Sequence, residues 1–238
     1  MQDLAHKDFP ADQYKVYIFC GVFQVTPEID ALINTKLRRN GNLLIFPWGN
    51  GFLNSAHQVD PQAVEQLTGI KVKADYPSAT VREINIVPGA VAPALDNAKI
   101  GSRDRYNMTA ELPVFVSADK QAKVLGRFTD GGAALVRKNF GHYETVLGAV
   151  GNLTPALVRE FCRSKGVHVY VDNDYDFVAT EGNYLSVHSG AGGKKQVLLP
   201  EKIAGLRNVE SGEVLPVNGK VAIIPLVDDE TAVFEIIR

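Results

Sequence analysis

The stretch from Tyr14 to Phe46 constrains the fold more than any other part of this sequence. Its first residues, Tyr14–Cys20, are mostly β-branched or aromatic, which is typical of a buried strand. A second apolar run of the same kind is Leu43–Phe46. Between the two runs, apolar residues recur at helical spacing: Ile29, Leu32, Ile33 and Leu37. The pattern predicts a strand, a crossover helix and a second strand, and therefore a parallel sheet.

Three predicted helices share the same start and stop signals. Each begins with a capping residue followed by proline, which is tolerated at the first helical position. Each ends at a glycine, which accepts the left-handed cap conformation. The start signals are Thr26-Pro27, Asp60-Pro61 and Thr154-Pro155, and the stop signals are Gly41, Gly69 and Gly166.

The remaining apolar runs predict further strands and two domains. Runs up to residue 175 predict strands at Ile70–Ala74, Thr80–Val87, Pro113–Val116, Val124–Phe128, Ala133–Phe140, Tyr143–Val150 and Val167–Val171. Pro88–Met108 has no period and is interpreted as a long loop. From Phe177 onward, short alternating runs recur every 8–12 residues or so, with turn signals between them.

We therefore predict an α/β fold class with two domains after a lead-in over residues 1–13. Residues 14–175 are expected to form an open, mostly parallel sheet flanked by helices. Residues 176–238 are expected to form a small, all-β antiparallel sandwich.

Composition excludes several classes of partner. The formal net charge is −2 and there is no long basic run, so neither nucleic acid nor an anionic membrane is expected as a partner. No apolar segment approaches the roughly 20 residues that span a bilayer, and the first residues lack the apolar core of a signal peptide. We expect a soluble chain without a targeting signal, cut from a longer protein, whose compartment the sequence does not indicate.

Candidate site residues lie where the predicted strands end, because open α/β sheets bind ligands at the carboxyl ends of their strands. Trp48, the sole tryptophan, stands between Pro47 and Gly49. Its ring could stack on a sugar or fill a subunit contact, or it could cap the core of its own domain. The residues that we group with it as possible ligand or subunit-boundary residues are Phe23, Asn50, Phe52, Asn54 and Asn152.

The sequence gives little support for a catalytic cysteine, a metal site or a dinucleotide-binding loop. Cys20 could be a thiolate nucleophile, but no histidine with an acidic partner follows these strands; we interpret Cys20 and Cys162 as buried, inert thiols. The five histidines show no metal-ligand spacing, and Gly49-Asn50-Gly51 lacks the third glycine of a dinucleotide loop. We predict no catalytic residue, no metal and no cofactor.

The order of several segments resembles a known family. The segments are Tyr14–Phe19, the Thr26-Pro27 helix, Arg39–Gly41, Leu43–Phe46, Val124–Arg127, Gly131-Gly132 and Phe161–Tyr170. Together they resemble the trimerisation domain of bacterial β-galactosidases and related glycoside hydrolases, a relative of the class I glutamine amidotransferase fold and similar to flavodoxin-like sheets. The last part of the chain is similar to the all-β domain that closes many glycosidases, at Asn183–His188, Leu198–Pro200 and Thr231–Ile236.

The resemblance implies a fold without the amidotransferase activity. The nucleophile position of working amidotransferases falls at Pro47–Gly51, which has no cysteine, and their late histidine falls near Gly151–Leu153, which has no histidine. The resemblance implies a non-catalytic C-terminal assembly or accessory region. Its partners would be its own upstream glycosidase barrel or other subunits of a homo-oligomer, with Trp48 or Phe52 at a subunit or substrate boundary. The alternatives are a free-standing carbohydrate-binding protein and a Cys20-dependent, amidase-like enzyme.

Overall fold

The computed structural model describes residues 2–76, 83–101 and 113–238. The chain divides into two compact units, residues 1–167 and residues 168–238, here termed the N-terminal unit and the C-terminal unit. This division between residues 167 and 168 lies upstream of the domain boundary that the sequence predicts near residue 175. The first part of the predicted strand Thr80–Val87 and the end of the predicted loop Pro88–Met108 lie outside the described residues.

The N-terminal unit contains short helices and one large sheet. Its α-helices are α1 (Gln2–Ala5), α2 (Pro27–Leu32), α3 (Pro61–Thr68) and α4 (Pro155–Ser164). Its strands are β1 (Val16–Ile18), β2 (Asn42–Phe46), β3 (Val72–Asp75), β4 (Ile84–Ile86), β5 (Lys99–Ile100), β6 (Val114–Ser117), β7 (Lys123–Phe128), β8 (Ala133–Asn139) and β9 (Tyr143–Gly148). Single helical turns lie at Ala11–Gln13, Ile33–Leu37 and Pro93–Leu95.

The predicted strand–helix–strand unit is confirmed. β1 and β2 pair in parallel, with Val16 opposite Leu43. The Thr26 side chain accepts a hydrogen bond from the Ile29 N–H (3.3 Å) and so caps α2. The helix then widens into a π-helical turn, Ile33–Leu37, before the chain reverses.

The predicted boundaries of the other two helices are also confirmed. The Asp60 carboxylate accepts the Gln62 N–H (2.8 Å) at the start of α3, and Gly69 ends that helix in the left-handed conformation (φ +70°). At the start of α4, the Thr154 hydroxyl accepts the Leu157 N–H (3.3 Å). Capping chemistry of this kind is local, which explains why the sequence predicts it well.

The predicted fold class is wrong, because strands dominate and most of them are antiparallel. The described structure is 37% strand and 17% helix. Among the described strands of the N-terminal unit, only β1 with β2 and β2 with β9 pair in parallel, and every other pairing between strands is antiparallel. The physical reason lies in the connections from β7 to β9, which are short turns around Gly131 and Gly141. Turns of this length join antiparallel neighbours, whereas parallel neighbours need a long crossover.

Apolar side chains cover this sheet on both faces. All five residues of β2 are buried. Leu43 and Ile45 enter one apolar cluster, which also receives Leu157 and Phe161 of α4. The alternate β2 residues, Leu44 and Phe46, enter a second cluster that holds Val64 and Leu67 of α3. The core of the N-terminal unit therefore has two parts with the sheet between them.

The C-terminal unit is built from antiparallel strands. They are β10 (Phe177–Glu181), β11 (Tyr184–His188), β12 (Gly193–Leu198), β13 (Gly205–Asn208), β14 (Val214–Asn218), β15 (Val221–Leu226) and β16 (Thr231–Ile237). They form one hydrogen-bonded path, β10-β11-β16-β13-β14-β15-β12, rather than the two separate sheets of the predicted sandwich. Alternate residues face a single apolar cluster that includes Leu185, Val197, Leu206, Ile224 and Phe234.

The predicted strand Val167–Val171 is also wrong. These residues have no ladder partner among the described strands. The Val167 N–H donates to the Cys162 carbonyl (3.0 Å) at the end of α4, and the Tyr170 carbonyl accepts the Leu198 N–H (2.7 Å). The run is apolar, but apolar residues alone do not distinguish a strand from an irregular segment that packs against a core.

Each unit contains a buried ion pair. In the N-terminal unit, the Lys138 ammonium lies 2.7 Å from the Asp119 carboxylate. In the C-terminal unit, the Lys195 ammonium lies 2.9 Å from Asp176, whose side chain is 2% exposed. Burial by itself raises the pKa of each aspartate, but the hydrogen bonds from the lysine and its neighbours outweigh burial, so both pKa values lie below the ordinary value.

A candidate ligand or subunit-contact site

A cluster of aromatic side chains lies at the carboxyl ends of β1 and β2. Because these strands are parallel, the segments that follow them leave the same edge of the sheet. The two segments meet in a parallel bridge between Gln24 and Leu53. The aromatic side chains, here termed the aromatic cluster, are Phe23, Trp48, Phe52 and Phe115.

The aromatic cluster has an exposed rim and a buried base. Phe23 meets Trp48 edge-on, with ring centroids 6.3 Å apart, and meets Phe52 edge-on at 5.6 Å. Trp48 and Phe52 lie 5.5 Å apart, and Phe52 lies 6.3 Å from Phe115. These distances are typical of favourable aromatic pairs. Phe115 is buried, whereas Phe23 is 47% exposed and forms the rim.

The Trp48 ring is held in place by hydrogen bonds within its own unit. Its indole N–H donates to the Pro113 carbonyl (2.7 Å), and its backbone N–H donates to the Val150 carbonyl (3.1 Å). A buried indole N–H needs an acceptor, and Pro113 supplies it. The polar atom of the ring is therefore already used, so a ligand or partner could meet Trp48 only through apolar contact.

Two glycines allow the loop after β2 to pack this closely. Gly49 has φ +85° and Gly51 has φ +70°, a region that other residues rarely adopt. A Cβ on Gly49 would lie 3.1 Å from the Phe23 ring, and a Cβ on Gly51 would lie 2.7 Å from the Leu67 side chain. The two glycines therefore allow the loop to pack tightly against Phe23 and Leu67.

The Asn50 side chain ties the ends of the two strands together. It is 3% exposed. Its Oδ1 accepts the Val22 N–H (3.0 Å), and its Nδ2 donates to the carbonyls of Phe19 (2.8 Å) and Pro47 (2.7 Å). Because donors and acceptor are all engaged, Asn50 positions the aromatic cluster and does not present a free polar group to a ligand.

The remaining two candidate residues lie outside the aromatic cluster. The Asn54 side-chain oxygen accepts the N–H groups of Ala56 (2.9 Å) and Gln58 (3.1 Å), which closes a local turn. Asn152 is exposed after β9, and no hydrogen bond among the described residues joins its side chain to the cluster. The structure therefore brings together Phe23, Trp48 and Phe52 over Asn50, but not Asn152.

The cysteines differ from the sequence prediction in one respect. Cys20 is exposed, so its interpretation as a buried thiol is wrong. It follows the edge strand β1, which no described strand flanks on its outer side. Cys162 is half-buried, and burial raises the pKa of its thiol. In the described part of the chain, no group of three His, Cys, Asp or Glu side chains could hold a metal ion.

Sequence reasoning missed the base of the site. Phe115 and the Pro113 carbonyl complete the packing of Trp48, and Pro113 is 65 positions away in sequence. The only signal was general: a tryptophan at a strand end requires an acceptor for its N–H. The sequence does not indicate which carbonyl that would be.

Comparison with known proteins shows that solved β-galactosidase structures contain this architecture. No protein-family model matches the sequence, and no curated protein matches it significantly. Among solved structures, the β-galactosidase from Bacillus circulans sp. alkalophilus matches 98% of this chain with a TM-score of 0.68 and 18% identity. The chain has the fold of part of a β-galactosidase.

Two further structures give the same result. A catalytic mutant of Gan42B, a GH42 β-galactosidase from G. stearothermophilus, matches 95% of the chain with a TM-score of 0.63 and 16% identity. The β-galactosidase from the haloarchaeon Halorubrum lacusprofundi matches 98% with a TM-score of 0.59 and 15% identity. The chain spans about a third of these proteins' lengths, at 34%, 32% and 32%. The predicted likeness to β-galactosidases is confirmed at the level of the fold.

Among the described residues, no helix combines the length and the apolar character that a membrane crossing requires.

Proposed function

We propose that this chain is a non-catalytic assembly or accessory region of a glycoside hydrolase of the β-galactosidase kind. The observation that carries the proposal is the extent of the structural match. It takes in 98% of this chain but 34% of the Bacillus circulans β-galactosidase. A region that corresponds to a third of a larger enzyme is expected to work beside the rest of it, here a sugar-cleaving barrel with paired carboxylates.

Within this proposal, the chain corresponds to the C-terminal part of such an enzyme, with a trimerisation-like domain followed by a β domain. Its role is to join subunits of a homo-oligomer or to pack beside the barrel of its own protein. The aromatic cluster is the surface that we assign to this contact, because Phe23 is an exposed, apolar rim residue above the buried Phe115. Aromatic residues are enriched at the centres of protein interfaces.

The test is the natural gene together with the state of the chain in solution. The proposal expects a barrel-encoding segment in the same reading frame upstream of Met1. For the chain as it stands, sedimentation velocity should show an oligomer, or a monomer that binds the separately produced barrel. The substitution Phe23→Ser should weaken either contact at least tenfold. A substitution on the other unit, Val209→Ser, is the control, since Val209 is also exposed. A gene without a barrel, and a monomer that binds none, would contradict the proposal.

Carbohydrate binding is a second candidate, which the half-exposed Phe23 beside Trp48 favours. Ligand sites are commonly lined by aromatic side chains. Titration of Trp48 fluorescence with galactose and lactose tests it: a saturable change supports carbohydrate binding, and a flat titration contradicts it.

The exposure of Cys20 favours the remaining candidate, an amidase-like enzyme. Alkylation of Cys20 with iodoacetamide abolishes hydrolysis of glutamine amides if that candidate is correct. The leading proposal expects no such hydrolysis before or after alkylation.

A further inference from the structure

One side of the edge strand β1 is open in the described structure. β1 ends the hydrogen-bonded path of the sheet and pairs with β2 alone. The Lys15 carbonyl accepts the Leu43 N–H (2.8 Å), and the Phe19 N–H donates to the Ile45 carbonyl (2.9 Å). The backbone groups of Lys15 and Phe19 therefore point toward β2.

Because these directions alternate along a strand, the N–H and C=O groups of Val16 and Ile18 point away from the sheet. No hydrogen bond in the described part of the chain reaches them. Ile18 is 41% exposed and Tyr14 is 49% exposed, so apolar side chains flank these free groups. Unpaired backbone groups of this kind are a template for an additional strand.

Two grooves lie beside β1, and Tyr14, Val16 and Ile18 line both of them. The first has a volume of about 410 Å³ and is completed by uncharged side chains that include Phe9 and Leu37. The second has a volume of about 370 Å³ and is completed by residues that include Lys15, Cys162 and Val167. Side chains of an added strand alternate in direction, so successive residues would enter opposite grooves.

The charges around β1 identify the kind of strand that fits. Lys15 is the only charged residue between Tyr14 and Thr26, and it forms no ion pair among the described residues. The first groove therefore suits apolar side chains, and the second suits an acidic side chain placed opposite Lys15. A second copy of β1 would bring another lysine and no carboxylate. Charge complementarity thus favours a different partner.

We propose that the outer edge of β1 binds an extended peptide segment of a partner protein as an added strand. The backbone groups of Val16 and Ile18 supply the hydrogen bonds, the first groove takes apolar side chains, and Lys15 pairs with an acidic residue. This is recognition by strand addition, in which main-chain bonds supply affinity and alternate pockets supply specificity. The inference does not rest on the proposed function, since it uses neither the aromatic cluster nor a glycosidase barrel.

The first test measures binding of a blocked, fluorescein-labelled hexapeptide, Thr-Val-Glu-Val-Thr-Val, to the whole chain by fluorescence anisotropy. Its valines suit the first groove and its glutamate suits Lys15. We expect saturable binding. We expect at least tenfold weaker binding for the same peptide with methylated backbone nitrogens at alternate residues, because those N–H groups can no longer donate. Equal binding of the methylated peptide, or no saturable binding of the parent peptide, overturns the proposal.

The second test uses variants of the chain. Ile18→Pro removes an outward N–H from an edge strand, where proline is tolerated, and should reduce binding at least tenfold. Ile18→Thr is the matched control, since it loses the same apolar side chain but keeps the N–H, and it should bind more tightly than Ile18→Pro. Lys15→Glu should reverse the preference between the glutamate peptide and a peptide with lysine in its place, and an unchanged preference overturns the assigned role of Lys15. Circular dichroism verifies the fold of each variant.

Light scattering of the chain without peptide tests the remaining alternative, in which a second copy of the chain binds to the edge of β1. Self-association that Ile18→Pro abolishes would mean that a second copy occupies this edge, which also overturns the proposal. The peptide-binding tests involve neither galactosides nor a barrel, so a negative result in them does not contradict the proposed function. In the same way, a gene without a barrel does not contradict peptide binding at β1.

Discussion

Strands β2 and β15 show that the two units bury their sheets differently. In β2, the adjacent residues Leu44 and Ile45 are both fully buried and enter different apolar clusters. In β15, Ile224 is 1% exposed, whereas its neighbour Ile223 is 47% exposed. The sheet of the N-terminal unit is thus covered on two faces, and that of the C-terminal unit on one.

An uninterrupted apolar run indicates that a strand is covered on both faces. Such runs are typical of parallel sheets, which are usually covered on both faces. Here β2 is parallel to both of its neighbours, whereas β8 is antiparallel to all of its described partners and has an equally buried run, Ala134–Val136. An apolar run therefore reports burial and not strand direction. Direction is set by the connections: a helix-containing crossover joins β1 to β2, while tight turns join β7, β8 and β9.

The largest expected effect comes from removing one partner of a buried ion pair in each unit. Asp119→Ala leaves Lys138 without its carboxylate, and Asp176→Ala does the same to Lys195. Each change should lower the free energy of unfolding by about 3–5 kcal/mol, because a buried charge loses its partner. Hydrogen exchange should show the loss of protection in the unit that carries the change.

A double substitution is the control for that prediction. Asp176→Leu combined with Lys195→Met removes both charges and should cost less than Asp176→Ala alone, since no unpaired charge remains. Equal costs for the single and double variants would mean that the ion pair contributes through packing and not through charge.

Alanine substitutions at adjacent positions test the difference between two covered faces and one. Leu44→Ala and Ile45→Ala should each cost about 2–5 kcal/mol, because both leave cavities. In β15, Ile224→Ala should cost a similar amount, but Ile223→Ala should stay within about 0.5 kcal/mol. Urea denaturation measures all four values. A large cost at Ile223 would show that the outer face of β15 is also covered.

Glycine substitutions should have a smaller effect that again differs between the units. Gly51→Ala places a Cβ 2.7 Å from Leu67 at φ +70°, so strain and a steric clash combine. Gly219→Ala has φ +65° but no atom within 4 Å of its Cβ, so strain acts alone. We expect a cost of about 1 kcal/mol for Gly219→Ala and about 2–3 kcal/mol for Gly51→Ala, measured by thermal unfolding. Equal losses would contradict the role of close packing at Gly51.

The smallest expected effect is the response to acid. The pKa of Asp176 is depressed in the folded chain, so its contribution is fully present above the ordinary value near 3.8 and is lost as the pH falls through the lower folded value. Asp119 behaves in the same way. The wild type should therefore lose stability more steeply than Asp176→Asn below about pH 3.8, as urea midpoints across that range would show. Parallel slopes would contradict this contribution.

Local chemistry was predictable from the sequence, and long-range pairing was not. The starts of α2, α3 and α4 follow from Thr26, Asp60 and Thr154, because a cap contacts only the next few residues. Trp48, Phe23 and Phe52 lie together because parallel strands end at one edge, whereas their role as a site stays a prediction. Phe115 was missed because its place depends on how β6 pairs, and nothing within that strand specifies its partners.

The buried amide of Asn50 has a chemical consequence beyond packing. Asn50-Gly51 is a dipeptide of the type that deamidates readily, because the glycine nitrogen can attack the side-chain carbonyl. In the folded chain, the Gly51 N–H donates to the Val22 carbonyl and the Asn50 side chain is held by three backbone groups, so attack is blocked. Once the loop opens, attack by the Gly51 nitrogen expels ammonia and forms a succinimide, which water opens to a carboxylate. That carboxylate cannot donate to the Phe19 and Pro47 carbonyls on refolding. Each unfolding event therefore allows irreversible deamidation of Asn50, which the native structure prevents.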